Sequence, residues 1–166
     1  MSRAFVKEDS ENPEEPLKRL ASGRPNYVTP AGLADLKLRA AELSALRSSL
    51  LAGKKAEEFR SLELQQAEID LAYYETQVKR AILVDNRGAA ADIRFGALVR
   101  VKEPGGAERA YSIVGEDEAD PGSGKLNWAS PLAALLIGRK AGDKVVVERR
   151  GDDLNLEIIS VEYPGV

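Results

Sequence analysis

The sequence predicts an α+β protein: an N-terminal antiparallel two-helix coiled-coil hairpin followed by a compact domain of antiparallel strands and one short helix. Two observations carry this expectation. Apolar residues recur at Leu33, Leu36, Ala40, Leu43 and Leu50, in steps of three, four, three and seven, until Gly53 breaks the pattern ahead of a second helical stretch. From Gly96 onward, short runs rich in valine, isoleucine and leucine alternate with glycine turns, as strands do. The expected organisation is a flexible arm over 1–27, the hairpin over 28–85, a linker over 86–95 and the strand-rich domain over 96–166.

Composition narrows the function. The chain has 166 residues, enough for one ordinary domain or two small ones. It has no cysteine and no histidine, which removes disulfides, thiolate nucleophiles, Ser-His-Asp triads and imidazole-bound zinc. Any metal must therefore be held by carboxylates, as magnesium is. A net charge of -3 argues against a primary duplex-DNA binder and favours a protein partner. No apolar run reaches the ~20 residues needed to span a bilayer, and the N-terminus lacks the apolar centre of a secretory signal, so a cytoplasmic protein is expected.

Taken in order, the arm is polar and proline-bearing with no sustained period. Thr29 before Pro30 starts the first helix, with Leu38, Leu46 and Leu51 widening its seam. The second helix is expected from about Lys55 to Ile82, facing the first through Phe59, Leu62, Ile69, Tyr73, Thr76 and Leu83. At about 1.5 Å per residue, residues 30–52 make an arm of roughly 35 Å. Strands follow at Leu98–Val101, Ala110–Val114, Lys144–Glu148 and Leu156–Val161.

The densest chemistry lies between Val114 and Val145. Four carboxylates (Glu116, Asp117, Glu118, Asp120) precede a Pro121-Gly122-Ser123-Gly124 bend. Lys125 to Trp128 then read as a strand leading to a short helix, Leu132 to Ile137, N-capped by Ser130 with Pro131 at its first position and stopped by Gly138. The acidic loop is open to three roles: metal site, docking surface or solvated loop. Glu116, Glu118 and Asp120 alternate like calcium ligands, but the other positions of an EF-hand are missing. Trp128 is expected in a core or cleft, and one of Tyr73 and Tyr74 is expected to face the partner helix.

Tyr111-Ser112-Ile113-Val114-Gly115, the acidic run, Ser130-Pro131-Leu132-Ala133, Leu135-Leu136-Ile137-Gly138 with Gly142-Asp143, and Val161-Glu162-Tyr163 together resemble the C-terminal domain of the Gre family of bacterial transcription elongation factors. The resemblance covers Gly96 to Tyr163 strongly and Thr29 to Asp85 more weakly. It implies an FKBP-like fold for the second domain and core RNA polymerase as partner. It further implies that the hairpin enters the polymerase's secondary channel, while Asp117, Asp120, Ser130 and Pro131 dock near the channel entrance.

In cleavage-stimulating members the hairpin tip carries a glycine, an aspartate, and a glutamate three residues later, which help hold a second magnesium beside the nascent RNA. With Gly53 matched to that glycine, Lys54 stands where the aspartate would be, and Glu57 and Glu58 are the candidate ligands. A lysine repels the cation, so weakened cleavage stimulation is expected, with no metal bound by the chain alone. Lys54 and Lys55 are placed to meet RNA or an acidic channel wall. Glu57 and Glu58 can equally be solvated carboxylates in the first turn of the second helix, where the dipole favours them. The resemblance implies an accessory factor, not an enzyme, and the chain is expected to be a monomer. Other outcomes are a non-cleaving homologue that competes for the channel, a peptidyl-prolyl isomerase suggested by the fold alone, and a hairpin serving as a dimerisation arm.

Overall fold

The computed structural model describes residues 15–53, 61–88 and 91–164. Helix α1, Pro30–Ala52, starts as its sequence requires: Pro30 occupies the first turn and the Thr29 hydroxyl accepts from the Gly32 N–H at 2.9 Å. It ends at Gly53. Helix α2, Leu62–Arg80, is N-capped by Ser61, carries Glu63 in its first turn and ends on Lys79 and Arg80, charges that complement its dipole. The two run antiparallel, with Arg47 bonding Glu68 towards the far end and Arg39 bonding Tyr74 nearer the base.

The narrow seam of α1 is as expected, with Leu36 buried and Leu33, Ala40 and Leu43 beside it, but Leu38, Leu46 and Leu51 do not widen it and are 56%, 38% and 45% exposed. The seam of α2 is rotated by roughly 140° at about 100° per residue. Leu64, Ala67, Tyr74 and Gln77 are buried, whereas Thr76 is exposed and Leu62 and Leu83 are 43% and 53% exposed. The buried set contains a glutamine and an alanine, so its apolar contrast is weak and the stripe through Leu62 looks stronger in sequence. Phe59 lies outside the described residues.

Two elements at the hairpin base were not expected. Strand β1, Asn26–Val28, pairs in parallel with β2, Ala81–Leu83, placing Tyr27 opposite Ile82. Thus α2 stops at Arg80, and the last two residues assigned to the arm belong to a sheet. Upstream, from Leu17, the chain lies along α2. The Leu17 backbone exchanges two hydrogen bonds with the Gln66 side chain, and the Arg19 guanidinium stacks 4.7 Å and 4.9 Å from the ring centres of Tyr73 and Tyr74.

The second domain, or foot, is a five-stranded sheet of β3 (Leu98–Lys102), β4 (Glu108–Val114), β5 (Lys125–Asn127), β6 (Lys144–Val147) and β7 (Leu154–Glu162). Their order is β5-β4-β3-β7-β6. Three of its four pairings are antiparallel, as expected, and β4–β5 is parallel, which makes the sheet mixed. Helix α3, Pro131–Leu136, covers one face, where Val99, Val101, Ile113, Leu136, Leu156 and Ile158 form the core. Part of the expected linker belongs to this core. Ile93 is fully buried, bonded through its backbone to Arg139 and Gly138, and the Tyr163 hydroxyl donates to the Asp92 carbonyl at 2.5 Å. Among the described residues, no helix is long and apolar enough to cross a membrane.

Candidate functional site

The joint between hairpin and foot gathers most of the chain's polar chemistry. The acidic loop closes as a single turn in which the Ala119 N–H donates to the Gly115 carbonyl at 3.1 Å. That turn fans three consecutive carboxylates onto three different segments. Glu116 accepts from the Ser22 hydroxyl at 2.6 Å, reaching the segment before β1. Asp117 accepts from the Tyr73 hydroxyl at 2.6 Å and from the Gln77 side-chain amide at 2.8 Å, gripping α2. Glu118 accepts from the Thr29 hydroxyl at 2.6 Å, gripping the start of α1.

Each grip has a local reason. Thr29 has one hydroxyl that does two jobs, donating to Glu118 while accepting from Gly32. The first turn of α1 contains no acidic residue, so Glu118 of the foot supplies the negative charge that the helix N-terminus favours. Gln77, 2% exposed, is satisfied on every side: its amide donates to Asp117, its side-chain oxygen accepts from Arg80 and its carbonyl accepts from Asn26. Two glycines let the parts approach. A Cβ on Gly115 would run into the Tyr27 carbonyl oxygen and stand 3.4 Å from its carbon, and one on Gly32 would stand 2.6 Å from a Glu118 oxygen.

Aromatic packing completes the joint. The Tyr27 ring lies 4.9 Å from Trp128, edge to face, and 6.1 Å from Phe95, so β1 plants a hairpin residue between two aromatic residues of the foot. Trp128 is therefore in a packed cleft, as expected, and the cleft is filled from within the chain. Tyr74 is the tyrosine buried in the seam, again as expected, while Tyr73 turns to the acidic loop.

Burial, followed by the bond to Asp117, pushes the Tyr73 hydroxyl well above the ordinary tyrosine range. A raised pKa means that the folded state favours the protonated phenol. The resulting stability is full below a pH of about 10 and is lost as pH rises through the folded-state value. Unfolding in urea at about pH 8 and about pH 11 is expected to show a larger alkaline loss for the wild type than for Tyr73→Phe.

The docking candidates separate. Asp117 is turned inward, both oxygens occupied, and belongs to the joint. Asp120 is exposed; its side chain accepts from Ser123 at 2.8 Å, and its backbone bridges Lys125 at the start of β5. Beyond the other end of β5, Ser130 caps α3 by accepting from the Ala133 N–H at 3.3 Å, and Pro131 is exposed. Asp120, Ser130 and Pro131 thus flank one edge strand. The tip candidates Lys54, Lys55, Glu57 and Glu58 lie outside the described residues, as does the magnesium site assigned to Glu57 and Glu58. Among the described residues no three carboxylates are grouped to hold a metal ion, and those of the acidic loop diverge.

Ser22, Thr29, Gly32, Gln77 and Gly115 are not singled out as site residues by the sequence, and Glu116 and Glu118 enter it only as part of an acidic loop open to three roles. A glycine in a helix's first turn and a polar residue on a helix seam were the available signals, since both are unfavourable without a specific partner.

Three comparisons bear on this arrangement. A family model described as "Transcription elongation factor, GreA/GreB, C-term" matches residues 89–163. A protein of Bacillus cytotoxicus named transcription elongation factor GreA is 35% identical over 109 residues, covering 63% of this chain and 69% of that protein. One of the same name from Limosilactobacillus fermentum is 36% identical over the same length and shares of the two chains. Among solved structures, the GreA/GreB elongation factor of Nitrosomonas europaea aligns with 83% of this chain and 99% of its own at 20% identity and a TM-score of 0.42. GreA factor homolog 1 of Thermus thermophilus aligns with 84% and 99% at 19% identity and a TM-score of 0.40.

Proposed function

Because the chain belongs to the GreA/GreB family of transcription elongation factors, we propose that it binds core RNA polymerase and carries the tip of its hairpin into the secondary channel. On this proposal it is an accessory factor, and any RNA cleavage is performed by the polymerase. The observation that supports it is the joint. Two carboxylates of the foot hold the base of a 23-residue helix and its antiparallel partner, and a third holds the segment before β1, so the hairpin is aimed by the domain that docks. Asp120 and Pro131, exposed on the flanks of β5, and the half-buried Ser130 form the docking set.

At the tip, Glu57 and Glu58 are the residues that would help hold a magnesium ion shared with the polymerase, next to the nascent RNA. Hard oxygen ligands are what a second magnesium needs, and Lys54 supplies a like charge instead. Transcript shortening in backtracked complexes is therefore weak.

The test is a stalled polymerase challenged with the full chain, scoring binding and transcript length together. Saturable binding with slow shortening is expected. Lys54→Asp should accelerate the shortening by on the order of tenfold, and Glu57→Ala should abolish it without weakening binding. Failure to bind core polymerase overturns the proposal. Binding that inhibits the polymerase, with Lys54→Asp and Glu57→Ala both silent, instead assigns the chain to non-cleaving competitors for the channel.

A further inference from the structure

Strand β6 is an edge of the foot sheet, and β7 is its single strand neighbour among the described residues. Its unpaired side is determined by the bonds it makes. The Ile158 N–H donates to the Asp143 carbonyl, and backbone groups of an antiparallel strand alternate sides residue by residue. Val145 and Val147 therefore bond inward to β7, leaving the N–H and C=O of Lys144 and Val146 directed away from the sheet. Such an edge is a template for another strand.

Which strand it fits is written in the side chains. The outward face of the sheet carries one row of charges that alternates across four strands: Glu108 opposite Lys102, Lys102 opposite Glu157, and Glu157 opposite Lys144. The row ends at the edge on a cation. The segment Asp143-Lys144-Val145-Val146-Val147-Glu148-Arg149 is self-complementary when laid antiparallel to itself about Val146. Lys144 then meets Glu148, Asp143 meets Arg149, Val145 meets Val147, and Val146 meets its own copy. The next residue in the alternating row would be an anion, as the row demands. Val146, 47% exposed on the outer face, would gain an apolar neighbour.

We propose that β6 pairs with the β6 strand of a second copy of this chain, forming a two-fold symmetric dimer with one continuous sheet in place of the monomer expected from sequence. The contact is isologous, so each favourable charge pair occurs twice. It is independent of polymerase docking, because β6 and β5 are opposite edges of the sheet.

Sedimentation velocity of the full chain over a concentration series tests this. A monomer–dimer equilibrium is expected. Lys144→Glu or Glu148→Lys, each at an exposed position, should weaken dimerisation by about tenfold or more, because two attractive cross-strand pairs become repulsive. The double variant K144E/E148K should restore it to within about threefold of wild type. An equimolar mixture of the two single variants should dimerise better than either alone, since each supplies what the other lacks. A protein that stays monomeric up to about 1 mM overturns the proposal. So does a dimer indifferent to the single substitutions, or one that the double variant fails to restore.

Discussion

Asp117→Ala is expected to destabilise the protein by about 2–4 kcal/mol, through loss of two bonds to a charged acceptor and exposure of their donors to no partner. The size follows from Gln77. Its side chain is 2% exposed and donates to Asp117 at 2.8 Å, so without the carboxylate a buried amide N–H is left unmet, a cost of about 1–3 kcal/mol by itself. The Tyr73 hydroxyl, bonded at 2.6 Å, is half-buried and recovers part of its loss from water. Asp117→Asn should cost less than Asp117→Ala, because one side-chain oxygen remains to accept. Glu116→Ala should cost least, since its partner Ser22 is exposed. Chemical denaturation of the three variants gives this ranking directly. Equal losses at Glu116 and Asp117 would place the joint's stability elsewhere.

Gly115→Ala is expected to cost about 2–3 kcal/mol, at the upper end of overpacking penalties. The added carbon meets the Tyr27 carbonyl, a backbone group fixed in β1 by parallel pairing with β2. No side chain can rotate out of the way. Relief requires β1 to lift, which would draw the Tyr27 ring from between Phe95 and Trp128. Gly105→Ala is the control: nothing lies within 4 Å of its added Cβ, so a change near zero or slightly stabilising is expected. Thermal unfolding followed by Trp128 fluorescence reports both stability and the state of this packing.

The sequence carried the narrow α1 seam, the α3 cap and the order of the five strands of the foot, because periodicity of 3.6 or 2, turn residues and capping residues are local signals. Where packing between distant segments decides, it carried less. Strands β1 and β2 are three residues each and pair in parallel across more than 50 positions, leaving no alternation to read. The stripe of α2 was misplaced because Gln77 occupies a buried position that only its bonds to Asp117, Arg80 and Asn26 make tenable. The acidic loop read equally as metal site, docking surface or solvated turn. Its role at the joint depends on hydroxyl donors from Ser22, Thr29 and Tyr73, none of which is near it in sequence.

The acidic loop's grip on the hairpin can be measured as a distance. The chain contains no cysteine, so single cysteines introduced at exposed Ser49 and Asp152 can carry spin labels without background. Pulsed electron–electron resonance should give one narrow distance population for the otherwise wild-type protein and a broadened one when Asp117→Ala is added. A broad distribution already present with Asp117 intact, or one that the substitution leaves unchanged, would contradict a hairpin aimed by these carboxylates.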